Sequence, residues 1–109
     1  MNRLAMSAAG AALVRALLAR ARVDRDRILL ASIRSTDWQS LTFTGERHEF
    51  ELNVPGQDSA TVAAALADGI EEAEFTIPGQ IVADIRAHMQ APTPDGSIAV
   101  RIEALTIAE

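Results

Sequence analysis

At Ile28 the spacing of apolar residues changes from helical to strand-like, and this change does most to limit what the chain can fold into. Before it, Met6, Leu13, Val14, Leu17 and Ala21 fall on one stripe at helical spacing, with Arg15 and Arg22 on the far side. The spacing predicts an amphipathic helix over 3–22, and Asp24 and Asp26 mark a turn. From Ile28 onward apolar residues mostly alternate, the signature of strands with one buried face. A sheet of that kind must cover its apolar face with something, and helices from the same chain are the available cover.

The alternation divides 28–54 into a three-stranded meander. Leu29, Ala31 and Ile33 share the apolar face of the first strand, and Ser35-Thr36-Asp37 forms a loop. Gln39, Leu41 and Phe43 share a face in the second strand, and His48, Phe50, Leu52 and Val54 in the third. Gly45-Glu46 fits a two-residue hairpin turn between them. That register sets Phe43 opposite His48 and Leu41 opposite Phe50, and the Ser35-Thr36-Asp37 loop sets Arg34 opposite Trp38 on the outer face. Pro55-Gly56 ends the meander, and Asp58 or Ser59 caps a short helix within 58–69. Residues 73–89 alternate again through Pro78-Gly79, where a bend, bulge or edge is expected. Pairing Ile85 with Val100 sets Asp84 opposite Arg101, so 73–107 reads as a long hairpin.

The expected fold is therefore α+β. An antiparallel five-stranded sheet follows the order helix, three-strand meander, helix, two-strand hairpin, with the helices on one face. A chain of 109 residues is one domain by size, and no internal repeat is apparent.

The chain has no cysteine, lysine or tyrosine, and its histidines are His48 and His88. Thiolate chemistry, disulfides, lysine Schiff bases and the phosphate-binding P-loop are thereby excluded. No two glycines are close enough for a dinucleotide fingerprint. The arginine-for-lysine bias reads as codon bias of a bacterial genome. The net charge of −5 argues against nucleic acid as a partner. It is unevenly placed: residues 1–27 sum to +4 and 28–109 to −9. Arg3 before the apolar run at Leu4–Val14 faintly resembles a signal peptide. Arg15 and Arg20 interrupt that run, and a cytoplasmic protein with no membrane partner is expected.

Three groups of residues bear on function. His48 and His88 fall on opposite faces of the sheet, so they should not share a metal or acid–base site within one subunit. Asp84, Arg86, His88, Arg101 and Glu103 form the densest polar patch. They read either as a solvated ladder of ion pairs or as an anion site with His88 as proton carrier. Trp38 lies on the polar face with Arg34, Ser40 and Thr42, and an outward tryptophan beside arginine is a frequent interface anchor. Ser35, Ser40 and Ser59 are the serines near acids or arginines, and none sits in a nucleophile-elbow motif. The reading favoured by the sequence is a small protein that acts by association, as a homodimer or an accessory subunit. Its contact surface would be Arg34, Trp38, Ser40 and Thr42, and no cofactor or metal is called for. The alternative is a site for small anions, weakly suggestive of an enzyme, on Arg86, His88 and Arg101.

Overall fold

A computed structural model describes residues 6–109. Helix α1 (Ala8–Ala21) is capped by Ser7, whose Oγ accepts a hydrogen bond from the Gly10 N–H. A 3-10 turn, Arg25–Arg27, leads into strand β1 (Leu29–Gln39), and β2 (Thr44–Val54) returns beside it. Helix α2 (Ser59–Ala67) and a second 3-10 turn (Ile70–Glu72) precede β3 (Gln80–Met89) and β4 (Ile98–Ala108). The strands form one antiparallel sheet in the order β1-β2-β4-β3. Residues 3–5 of the expected first helix lie outside the described residues.

Among the described residues the fold class is α+β with two helices, as the periodicity indicates, but the sheet has four strands and not five. The residues read as a loop, Ser35-Thr36-Asp37, continue β1 as one strand of eleven. The turn lies at 40–43 instead. There Ser40 N–H donates to the Phe43 carbonyl at 2.8 Å, and Ser40 Oγ accepts from Phe43 N–H at 3.1 Å. A serine side chain thus closes a turn that has no glycine. Gly45 sits inside β2, opposite Ile107. A Cβ on Gly45 would stand 2.0 Å from the Thr106 carbonyl oxygen, so glycine is required there by the close approach of β4.

The core lies between the sheet and the helices. Leu13 and Leu17 of α1 and Ala63 and Leu66 of α2 meet Ile33, Phe50, Leu52, Val54, Ile85, Ile98, Val100 and Ile102. The phase of β2 is as expected. The phase of β1 is not, because Ala31 is a bulge: Leu30 pairs with Leu52, while Ser32 pairs with Glu51. Leu30 therefore turns inward and Leu29 is exposed. A second bulge at Ala83 does the same in β3, where Val82 turns inward and Ile81 is exposed. Pro78-Gly79 ends the long alternating run with a turn. Gln80 N–H donates to the Ile77 carbonyl, and Gly79 has φ 73°, the combination proline–glycine favours. The last hairpin pairs His88 with Arg101 and Arg86 with Glu103, so the expected Asp84–Arg101 pair is replaced by Asp84–Leu105.

The element order is internally repeated. Helix, 3-10 turn, strand, strand occurs twice, and the order β1-β2-β4-β3 places a pseudo-two-fold axis between β2 and β4. The register makes the correspondence residue-specific. Arg34 pairs with Glu49, Glu49 with Glu103, and Glu103 with Arg86, a row that reads the same from either edge. Each Arg follows a buried isoleucine, Ile33 or Ile85, and each isoleucine follows a bulged alanine two positions earlier. In sequence the signature is Ala31-x-Ile33-Arg34 with Arg47-x-Glu49, repeated as Ala83-x-Ile85-Arg86 with Arg101-x-Glu103. The chain thus carries a repeat of elements where the sequence suggests none. The shared residues are too few and too dispersed to be visible before the strands are paired.

Candidate functional site

The pseudo-two-fold axis separates what the fold needs from what it carries in addition. On the inner face of the sheet, below the N-terminus of α1, four polar residues gather. His48 is 1 % exposed, and its two ring nitrogens each stand 2.8 Å from a hydroxyl: Nδ1 from Ser35 Oγ and Nε2 from Thr106 Oγ1. Glu46 Oε1 lies 4.0 Å from Nε2 and accepts a hydrogen bond from Ser7 Oγ at 2.9 Å. One imidazole joins three strands, and Ser7 ties the helix cap to Glu46 beside it. No buried side-chain polar atom among the described residues lacks a partner.

The pseudo-symmetry partners of Ser35, Glu46, His48 and Thr106 are Ala87, Val100, Ile102 and Leu52. All four are apolar, and Val100, Ile102 and Leu52 are core residues. The fold itself is thus satisfied by hydrocarbon at these places, and the polar cluster is peculiar to one end of the sheet. Burial lowers the pKa of His48, an effect that Glu46 only partly opposes, so the ring is held neutral. A neutral ring accepts from one hydroxyl and donates to the other. As chemistry, a Ser35–His48 pair resembles an activated hydroxyl, but Nε2 meets uncharged Thr106 in place of a carboxylate. The arrangement therefore fits the fixing of register better than proton transfer.

The outer face of the same end shows the reverse polarity. Trp38, Gly45, Ile107 and Ile81 form one row across all four strands, and Ile81 is 52 % exposed. Beyond the row the β1–β2 turn projects Leu41, 101 % exposed, and Phe43, 53 % exposed. At the opposite end Asn53 and Ala99 lie outside, and Leu52 and Val100 inside; exposed Leu29, paired with Asn53, is the one large apolar residue of that outer row.

The residues singled out by the sequence are placed as follows. Arg34 and Trp38 do share the outer face, but on one strand four residues apart, ~13 Å. The expected pairing of Arg34 over Trp38 is therefore not made, and Arg34 binds Glu49 at 3.0 Å instead. Ser40 and Thr42 are in the turn, where Ser40 closes the chain reversal. Asp84, Arg86, His88, Arg101 and Glu103 come together on the outer face, with Arg86–Asp84 at 3.3 Å and His88–Glu103 at 3.4 Å. A shallow cavity of about 280 Å³ groups Arg101 with Arg34, Glu49 and Ser32 rather than with Arg86 and His88. His48 and His88 occupy opposite faces, as the strand phases indicate. Ser59 donates to the Gly96 carbonyl and anchors α2 to the loop before β4.

Ser7, Ser35, Thr106, Leu41 and Phe43 had no assigned role in the site from sequence alone. The available signal was phase: Glu46, His48 and Thr106 are polar residues on the apolar phase of their strands. Among the described residues no three His, Asp or Glu side chains converge as metal ligands, and no helix is long and apolar enough to cross a membrane. Comparison with protein-family models, curated proteins and solved structures finds no match to this chain.

Proposed function

We propose that this protein acts by self-association, and that the contact surface is the outer sheet face at the Trp38 end together with the Leu41–Phe43 turn. The observation that carries the reading is the inversion of polarity at that end, with polar groups inside and apolar groups outside. An apolar patch of this kind on a folded surface is most often a contact site. Charge points to a second copy as the occupant. The chain carries −5, but the rest of the outer face balances Arg34, Arg47, Arg86 and Arg101 against Glu49, Glu51, Asp84 and Glu103. Two copies of an acidic protein repel least through their neutral faces. Relative to the sequence-based surface, the centre moves from Arg34, Ser40 and Thr42 to Trp38, Leu41 and Phe43.

The test is light scattering across micromolar concentrations. The wild type should approach twice the monomer mass of 11.7 kDa. Leu41→Ser/Phe43→Ser should remain near one mass with an unchanged circular dichroism spectrum. Monomeric behaviour of both overturns the proposal.

A second reading is an anion site on the outer face, now centred on Arg101 and Arg34 at the shallow cavity, with Arg86 and His88 beside it. The observation in its favour is that Arg101 is exposed and makes no ion pair among the described residues. Thermal stabilisation by phosphate or citrate that disappears in Arg101→Gln supports it, and no stabilisation by either removes it.

A further inference from the structure

Comparison of the two units also points to a place that none of the described residues fills. In the second unit the connection from the 3-10 turn to its strand is a segment, 73–79, that adds buried Ile77 and half-buried Phe75 to the core. In the first unit Ile28 alone makes the same connection. A cavity of about 300 Å³ lies open there, between α1, the first 3-10 turn and the start of β1. Val14 and Leu18 line it from the helix, Ile28 and Leu30 from the strand side, and Leu52 from below. Arg15 and Arg25 also line it, both are exposed, and neither makes an ion pair among the described residues.

We propose that this groove is a binding site for a small organic anion with an apolar body, such as a medium-chain carboxylate. The volume is at the lower end of small-molecule sites, and such sites are mostly apolar with a few placed polar groups. An aliphatic or aryl tail lies along half-buried Val14, Ile28 and Leu30 over the floor made by Leu18 and Leu52, replacing water over apolar surface. The acidic head lies at the rim between two guanidinium groups, which hold carboxylates through paired N–H donors.

The experiment is a heteronuclear NMR titration of the full chain with octanoate and, separately, with 1-octanol. Octanoate should move the resonances of Val14, Leu18, Ile28, Leu30 and Leu52 and bind about tenfold more tightly than octanol, the difference expected of a charge-assisted head-group contact. Arg15→Gln/Arg25→Gln should bring octanoate down to the affinity of octanol. Ala11→Leu, which extends a side chain into the groove from α1, should weaken both ligands. The proposal is overturned if the groove residues do not shift at millimolar octanoate. It is also overturned if octanoate and octanol bind the wild type equally, or if the arginine double variant keeps the preference for octanoate. The arginine variant alone decides the matter should Ala11→Leu fail to fold.

Discussion

Ala31 and Ala83 are the bulge residues of the two edge strands, and each stands two positions before a buried isoleucine and three before an outward arginine. Each inserts one residue into its strand without moving its neighbours to the wrong face. Deleting Ala31 would leave Leu30 inward and Ser32 outward, in regular pairing with Leu52 and Glu51. The same holds for Ala83 in β3. Bulges at sheet edges discourage pairing with other chains. Each single deletion should therefore fold, with a native circular dichroism spectrum, while forming more large aggregates at high concentration than the wild type. Unfolding of the deletion variants would show that the bulges are needed for the fold itself.

His48 should give the protein a pH-dependent stability just below neutrality. Burial lowers its folded pKa from the ordinary value of 6.5, so the unfolded chain binds the proton more readily than the folded one. The stability contributed by the neutral ring is complete above pH 6.5 and falls as the pH drops through the window down to the folded pKa. The slope there is at most ~1.4 kcal/mol per pH unit. Asp58 and Asp95, held below the ordinary carboxylate pKa chiefly by hydrogen bonds from Arg27 and Thr93, lose their contribution only as the pH falls through the carboxylate range. His48→Gln should flatten the dependence below pH 6.5 and lower stability at pH 7 by ~1–3 kcal/mol through disturbed hydrogen bonds. Urea unfolding at several pH values measures both.

How much of this was legible beforehand depends on where the signal resides. The phase of β2 was readable because Phe50, Leu52 and Val54 are large and alternate strictly. The inward position of His48 followed from the same phase. The length of β1 was not readable, because Ser35, Thr36 and Asp37 have the composition of a loop. What holds them in a strand is nonlocal: Ser35 reaches the His48 imidazole, and Thr36 and Asp37 pair with Arg47 and Glu46. The bulges were also hidden, since one extra alanine alters the phase without leaving a compositional mark. The internal repeat and the polarity inversion both depend on knowing which residues pair, and pairing is a property of the assembled sheet.

Gly45→Ala should destabilise the protein by ~1–3 kcal/mol, the range for overpacking at a closed contact. The added methyl would collide with the Thr106 carbonyl and press β2 away from β4 at the end where His48 binds Thr106. Denaturant melts measure the loss, and an unchanged midpoint would contradict the close approach.

Arg22→Gly should stabilise. Arg22 ends α1 with φ 57°, a left-handed conformation that a side chain disfavours, and its N–H donates to the Ala19 carbonyl. Glycine relieves that penalty at a helix terminus. A gain of ~0.5–1 kcal/mol in thermal or urea unfolding is expected.

The claim that the outer face at the Trp38 end is a contact surface is tested most directly by hydrogen–deuterium exchange at high and low protein concentration. Amides in 38–45, together with Ile81 and Ile107, should exchange more slowly at high concentration, while those of α1 and α2 are unchanged. Identical exchange at both concentrations, or protection confined to the helices, would contradict it.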